Sequence, residues 1–295
     1  MWYNAAEQKT AVRPERGERK RMESLFCCPV CGGALAREAG CYRCRAGHSF
    51  DIAREGYVNL LPANQRHSKA PGDDREMAAA RTRFLEGGWY MPLREALCGL
   101  VSELSPQNPA LLDAGCGEGW YTQALAEAAA AKGGRTAGID LSRPSVKKAA
   151  RRCPAGEFAV GTLYHLPVAD GCVDMLVNCF SPLAAPEFAR VLKPGGRFLY
   201  VVPGPRHLWE LKEAVYERPY ENEEKREEYP GFRYLDVVPV ETRFTLPNAQ
   251  AVQDLFRMTP YYWKSPKSGA ERLAGLDSLA VTGQFRVHMM ERTGR

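Results

Sequence analysis

The sequence has no apolar run of about 18 residues, so no transmembrane helix is expected. The N-terminus lacks an apolar core followed by a small-residue cleavage site, so no secretory signal is expected. Internal repeats are missing, and the only biased tract is a Glu-rich stretch read as a solvated helix. With 45% hydrophobic and 25% charged residues, the composition excludes a mostly disordered or fibrous chain. The 295 residues are enough for roughly two domains.

Ten cysteines are present, and half of them lie between Cys27 and Cys44. Without an export signal, that clustering favours a reducing cytoplasm and a metal site over a disulfide framework. The net charge of +5 is uneven: Glu210 to Glu228 carries eight Glu against four Lys/Arg, which leaves +9 on the remainder. A modest surplus of this kind is compatible with a polyanionic partner and weakly supports one.

Residues 1–23 are read as a flexible leader, with six Lys/Arg and three Glu in the first 22 positions. Residues 24–61 form a compact cysteine-rich unit, and 62–108 a linker and helical lead-in. In that lead-in Asp73 or Asp74 caps a helix through Met77, Ala80, Phe84 and Leu85, and a second helix covers Leu93–Leu104. From 109 to 295 short apolar runs alternate with helical segments. Strands are expected at Ala110–Ala114, Thr136–Ile139, Glu157–Gly161, Val173–Cys179 and Arg197–Val202, with helices at Tyr121–Lys132 and Ser145–Arg152. This is the rhythm of βαβ units: an α/β fold with a mostly parallel, Rossmann-like sheet. Val238–Leu246 and Gln284–Met290, around a helix at Asn248–Met258, suit a closing antiparallel pair at the sheet edge.

Cys28-Pro-Val-Cys31 is followed by twelve residues and then by Cys44-Arg-Ala-Gly-His48. Two residues between thiolates let both bite one ion. Cys28, Cys31, Cys44 and His48 together make a closed tetrahedral set for structural zinc, with no position left open for catalysis. Cys41 and Cys44 are themselves a CxxC pair, so a four-cysteine set is an alternative. A unit this small has little core, and metal would supply folding energy.

Leu111-Leu112-Asp113-Ala114-Gly115-Cys116-Gly117-Glu118-Gly119 runs an apolar strand into a G-x-G-x-G turn, with a helix expected from Trp120. Gly115 and Gly117 let backbone approach a ligand at the strand end. Asp113 can accept from an amine, and Asp140, closing the next strand, is placed for ribose hydroxyls. A nicotinamide site would want G-x-G-x-x-G. The pattern here, with Asp113 ahead of the first glycine and bulky Trp120 after the last, is similar to Rossmann-like, class I S-adenosylmethionine (SAM) dependent methyltransferases. His207, after Pro203-Gly204-Pro205, and Asn178, ending the fourth strand, are the catalytic candidates. The aromatics Tyr261, Tyr262 and Trp263 suit core packing, with base stacking as the alternative. Arg206, Lys193 and Arg197 could touch phosphates, with solvated charge as the plainer reading.

A zinc knuckle joined to a SAM domain narrows the field. From Phe26 on, the chain resembles the bacterial 23S rRNA (guanine-N1)-methyltransferases. The stretches that carry the resemblance are the zinc set with Ser49-Phe50-Asp51, Glu55-Gly-Tyr57-Val-Asn59-Leu-Leu61, Pro71-Gly72-Asp73-x-x-Glu76-Met77, Asp113-x-Gly-Cys116-Gly-Glu118-Gly119 with Tyr121, Pro203-Gly204-Pro205-Arg206-His207-Leu208 and Met258-Thr259-Pro260-x-x-Trp263. The resemblance implies zinc on Cys28, Cys31, Cys44 and His48, and cofactor contacts at Tyr90, Gly117, Glu118 and His207. It implies a guanine in a 23S rRNA hairpin loop facing the peptide exit tunnel as target. It also implies a homodimer whose zinc domains border an RNA-sized cleft; charged side chains of the ribbon such as Arg37, Arg43, Arg45 and Arg54 are expected to position the RNA backbone. The rivals are a SAM enzyme for a small molecule, for which a zinc ribbon is superfluous, and a non-catalytic zinc module.

Overall fold

A computed structural model describes residues 22–62, 75–224 and 227–294. The expected cap at Asp73 or Asp74, and the leader up to residue 21, lie outside the described residues. Among the described residues no helix is long and apolar enough to cross a membrane.

Strands β1 (Met22–Cys27), β2 (Ala34–Arg37), β3 (Cys41–Cys44) and β4 (Ser49–Asp51) form an antiparallel ribbon in chain order. The expected 24–61 unit does not close on itself. Its last strand, β5 (Tyr57–Asn59), leaves the ribbon and pairs parallel with β8 (Glu157–Val160) of the larger sheet. Apolar Tyr57 and Val58 are both buried there, which the small ribbon could not achieve alone. The lead-in is likewise built into the main body: Phe84 of α1 (Arg75–Glu86) and Leu93, Leu97 and Val101 of α2 (Met91–Leu104) are fully buried in its core.

The rest follows the alternation expected from the sequence: β6 (Ala110–Ala114), α3 (Trp120–Ala130), β7 (Arg135–Asp140), α4 (Arg143–Arg152), β8, β9 (Val173–Cys179), α5 (Ala185–Val191) and β10 (Leu192–Pro203). Then come α6 (Trp209–Val215), β11 (Phe232–Leu246), α7 (Ala249–Met258), α8 (Tyr261–Lys264), α9 (Lys267–Ala274) and β12 (Leu279–Arg292). The eight-stranded sheet has the order β11-β12-β10-β9-β6-β7-β8-β5. It is parallel from β5 to β10, and β12 and β11 close it antiparallel. The chain steps from β6 to β7 on one side and returns through β9 on the other. The end of β6 is therefore the switch point at which α/β sheets open a ligand crevice. Its residues are buried on both faces, which is why they read as one apolar run.

Three segments depart from the sequence expectations. β11 begins at Phe232 rather than 238 and runs through Pro239, which an edge strand tolerates because one side of its backbone needs no ladder partner. β10 begins at Leu192 and absorbs Lys193–Gly196 as a bulge against β9. The Glu-rich stretch is helical only to Val215. Glu213, Glu217 and Glu221 would repel at four-residue spacing and Pro219 cannot continue a helix, so the chain proceeds as an irregular strap.

Side chains alternate across β6. Leu111 joins a core with α1, α2, α3 and α7, while Ala110, Leu112 and Ala114 join a core with α5 and the ribbon residues Leu25, Phe26 and Tyr42. The ribbon is thus packed on one face of the sheet, with the Cys27 N–H donating to the Pro167 carbonyl and Ser24 donating to Glu157.

Candidate active site and metal centre

The ribbon ends in two tight knuckles. In the first, the Gly32 N–H donates to the Cys28 carbonyl at 2.8 Å, and Gly32 has φ +71°, a left-handed conformation that suits glycine. In the second, the Cys44 N–H donates to the His48 carbonyl at 3.0 Å. The turns bring the Sγ atoms of Cys28, Cys31 and Cys44 and the Nδ1 of His48 within 4.8 Å of one another. Individual separations are 3.7 Å for Cys31–Cys44, 3.4 Å for Cys44–His48 and 3.5 Å for Cys28–His48. Thiolates about 2.3 Å from a tetrahedral zinc stand roughly 3.7 Å apart, so these separations suit that ion. Cys41 is excluded: it sits on β3 opposite Asp51, outside this group.

At the switch point the chain leaves β6 through Gly115 (φ +89°), whose N–H donates to the Ile139 carbonyl of β7 at 2.8 Å. A Cβ on Gly115 would lie 2.2 Å from the Ser181 Oγ. Gly119 (φ +78°) lets α3 start against α4, since a Cβ there would meet the Ala149 Cα at 2.8 Å. Asp140 fastens the turn from the other side: it accepts from the Gly117 N–H at 3.0 Å and from the Ser142 N–H at 2.7 Å. The cavity above the turn has a volume of about 230 Å³, with Tyr90, Gly115, Gly117, Glu118 and Asp140 in its wall. The bare glycine backbone and the carboxylate closing β7 fit the amino-acid and ribose parts of SAM.

The remaining candidates fall elsewhere. Asp113 is buried behind this wall, on the same face of β6 as Leu111, and accepts from the Thr122 Oγ1 at 2.5 Å. Burial pushes its pKa up to about 7, with the Thr122 hydrogen bond opposing and the Asp140 charge adding to the rise. It holds α3 to β6 and does not face the cavity. Asn178 also lies outside both walls: its Nδ2 donates to the Ala114 carbonyl (3.0 Å), the Ser181 Oγ (2.6 Å) and the Pro182 carbonyl (3.3 Å). It shapes the turn after β9, in which Phe180 takes a left-handed φ of +53°.

His207 lines a second, larger cavity of about 880 Å³ that continues from the first. Its Nδ1 is held by the backbone of Gln284, 2.9 Å from the carbonyl and 3.2 Å from the N–H, and its Nε2 lies 3.4 Å from the Tyr90 hydroxyl. Burial lowers its pKa to about 4, opposed by the hydrogen bond to Gln284 and aided by the Lys212 charge. His207 is therefore neutral near pH 7, with both ring nitrogens engaged.

Arg81, Phe180, Ser181 and Met258, which stand in the wall between the two cavities, were not singled out as site residues from the sequence. Met258 had a signal, as the start of the Met258-Thr259-Pro260 stretch. Arg81, on an amphipathic helix, had none. Of the aromatic cluster, Tyr261 and the exposed Trp263 line the larger cavity, and Tyr262 packs on Phe256. Lys193 and Arg197 are paired with Asp174 and Glu291, so the solvated-charge reading fits them better than phosphate contact.

Residues 26–69 match the family model described as RlmA, N-terminal, a zinc ribbon, and 112–200 match a methyltransferase domain. A Bacillus subtilis protein named among the 23S rRNA (guanine-N1)-methyltransferases is 33% identical over 271 residues, covering 88% of this chain and 94% of its own. The chain belongs to this family. The 23S rRNA (guanine-N1)-methyltransferases of known name include a Streptomyces fradiae relative acting at guanine 748. It is 37% identical over 67% of this chain and 70% of its own. A Micromonospora griseorubida relative is 41% identical over 64% and 68%.

As a member of this methyltransferase family the chain carries a SAM site, and Asp140 offers the cleanest test of where. D140A removes the carboxylate that fastens the Gly117 and Ser142 N–H groups. The expected result is a roughly 10- to 100-fold weaker SAM Kd by calorimetry, from lost hydrogen bonds of charged type. An unchanged Kd would place the cofactor elsewhere.

Proposed function

We propose that the protein transfers the methyl group of SAM to N1 of a guanine in a 23S rRNA hairpin loop facing the peptide exit tunnel. The observation that carries the reading is the pair of cavities joined through a shared wall of Arg81, Tyr90, Phe180, Ser181 and Met258. The smaller cavity lies on the glycine turn. The larger one has aromatic surface from Phe180, Tyr220 and Trp263, on which a base taken out of its stack can lie. Bound SAM supplies an already activated methyl group, so the protein's task is alignment. Tyr90 spans the junction, fixed by its hydroxyl on His207 and by its ring against Phe285 at 4.8 Å. Phe180, held by the turn that Asn178 ties, presents its ring to both cavities.

The reading includes a cytoplasmic homodimer in which the zinc ribbons and their arginines border the RNA. The test is methyl transfer from labelled SAM to unmodified 23S rRNA, with primer extension to locate the product. N1-methylguanine blocks base pairing, so a single arrest in the hairpin is expected. Tight SAM binding with no label in RNA would move the acceptor to a small molecule, and no SAM binding would leave only a zinc module.

A further inference from the structure

The proposed reaction needs a group to take the N1 proton of guanine, and the residues facing the cofactor do not supply one. His207 has both ring nitrogens engaged, Nδ1 by the Gln284 backbone and Nε2 by the Tyr90 hydroxyl. Asp113 is outside both walls. Glu118 accepts from Thr82, Lys148 and Arg152. Asp140 accepts from two backbone N–H groups of its own turn.

The irregular strap after α6 brings two carboxylates, Glu221 and Glu223, to the larger cavity. Its anchor is Lys212, which is fully buried. The ammonium donates to the Tyr220 carbonyl at 2.7 Å and to the Asn222 Oδ1 at 2.9 Å, and it lies 4.6 Å from the Tyr220 ring centroid. Asn222 is held again at the end of β10: its N–H donates to the Pro205 carbonyl and its Nδ2 to the Gly204 carbonyl, both at 2.8 Å. The residue between these two fastened neighbours is Glu221, which lines the cavity. Its carboxylate, exposed at the cavity mouth, pairs with Arg206 at 3.4 Å, which in turn stacks on Trp209 at 4.1 Å. A buried lysine is costly unless paired. Here its donors are spent on fixing one short stretch of cavity wall.

Guanine presents two adjacent donors on its Watson–Crick edge, N1–H and the 2-amino group, and a carboxylate accepts from both. Building on the proposed guanine-N1 activity, we propose that Glu221 reads this edge and accepts the N1 proton, with Lys212 as the positioning residue. N1 gives its proton to Glu221 and its electron pair to the methyl carbon, and the pair of the S–CH3 bond stays on sulfur as a neutral thioether. The charge of the sulfonium leaves as the proton on the carboxylate.

The experiment uses the full-length protein and the synthetic target hairpin, made with guanine or with inosine, which lacks the 2-amino group. The wild-type protein is expected to prefer guanine by roughly 10- to 100-fold in kcat/KM, the worth of a hydrogen bond to a charged group. E221A should bring that ratio close to one. E221Q, which keeps an acceptor but is a far weaker base, should lower kcat by about 100-fold or more with little change in KM for RNA. SAM affinity, read by calorimetry, should stay at the wild-type value in both, since Glu221 lies outside the cofactor cavity. A rate loss in E221A with the guanine-to-inosine ratio intact would reduce Glu221 to a structural part. Wild-type rates in E221Q, or collapse of the ratio in E223Q instead, would overturn the assignment. Failure of the wild-type protein on guanine itself would count against the proposed function and not against this residue.

Discussion

Removing the metal should unfold the ribbon and abolish RNA methylation while SAM binding survives. The ribbon holds only a few buried apolar side chains of its own, among them Leu25, Phe26, Leu35 and Tyr42. A structural zinc in a unit of this size contributes on the order of 10–16 kcal/mol of apparent binding free energy, comparable to the whole stability of a typical domain. Without it Cys28, Cys31, Cys44 and His48 have no reason to stay within 4.8 Å of one another. The ribbon residues form part of the core on one face of the large sheet, so loss of the ribbon bares that face around Val168 and Phe188. The glycine turn and Asp140 belong to the other sheet and keep their own backbone bonds. We therefore expect one zinc per chain by elemental analysis and, on chelation, reaction of the three ligand thiols together with fuller reaction of Cys27 and Cys41 from the unfolded ribbon. C28S/C44S should give an added low-temperature transition in calorimetry, with SAM affinity within a few-fold of wild type and no label entering rRNA. Full rRNA methylation by metal-free protein would sink this account.

What the sequence disclosed and what it withheld divide along a physical line. Features set by neighbours in the chain were legible. A two-residue gap between cysteines gives a bite, and the spacing to His48 gave the ligand set that the folded ribbon brings together. The apolar run Ala110–Ala114 into three glycines gave strand, turn and helix, because burial on both faces and left-handed φ leave direct marks on residue choice. Features set by distant partners were not legible. The sequence shows Asp113 at the strand end but not that its face of β6 turns toward Thr122 instead of the cavity. The Glu-rich stretch reads as a solvated helix until Lys212 is seen buried beneath it, holding Tyr220 and Asn222 from α6. Phe180 carries no mark of its positive φ, because the constraint comes from Asn178 and from the Val201 carbonyl that accepts its N–H at 3.2 Å. The ribbon boundary drawn at 61 takes in β5, which the larger sheet claims through a partner strand that begins at residue 157. In each case the deciding contact spans the fold, and spacing along the chain does not encode it.

A methyl group added at Gly115 should cost SAM affinity by a factor of at least about 30. Two effects combine. Gly115 has φ +89°, where a side chain costs about 1–2 kcal/mol. The new Cβ would also stand 2.2 Å from the Ser181 Oγ and 2.4 Å from its Cβ, separations that no pair of such atoms sustains. Ser181 has no easy retreat. Its hydroxyl donates to the Ala114 carbonyl at 2.9 Å and accepts from the Asn178 Nδ2 at 2.6 Å, so moving it gives up two hydrogen bonds of about 0.5–1.5 kcal/mol each. The sum, about 2–5 kcal/mol, corresponds to roughly 30- to several-thousand-fold in Kd if the displaced turn is what binds. A second substitution separates the two effects. S181G removes the obstruction and leaves the dihedral cost, so G115A measured against S181G alone should cost about tenfold less affinity than G115A measured against the wild type. G32A provides the contrast: φ is +71° but no atom lies within 4 Å of the added Cβ, so only the dihedral cost remains and SAM affinity should not move. If G115A bound SAM as the wild type does, the glycine turn would not be the cofactor cradle. If G115A cost the same with and without Ser181, the contact between the β6 and β9 turns would not be what sets its shape.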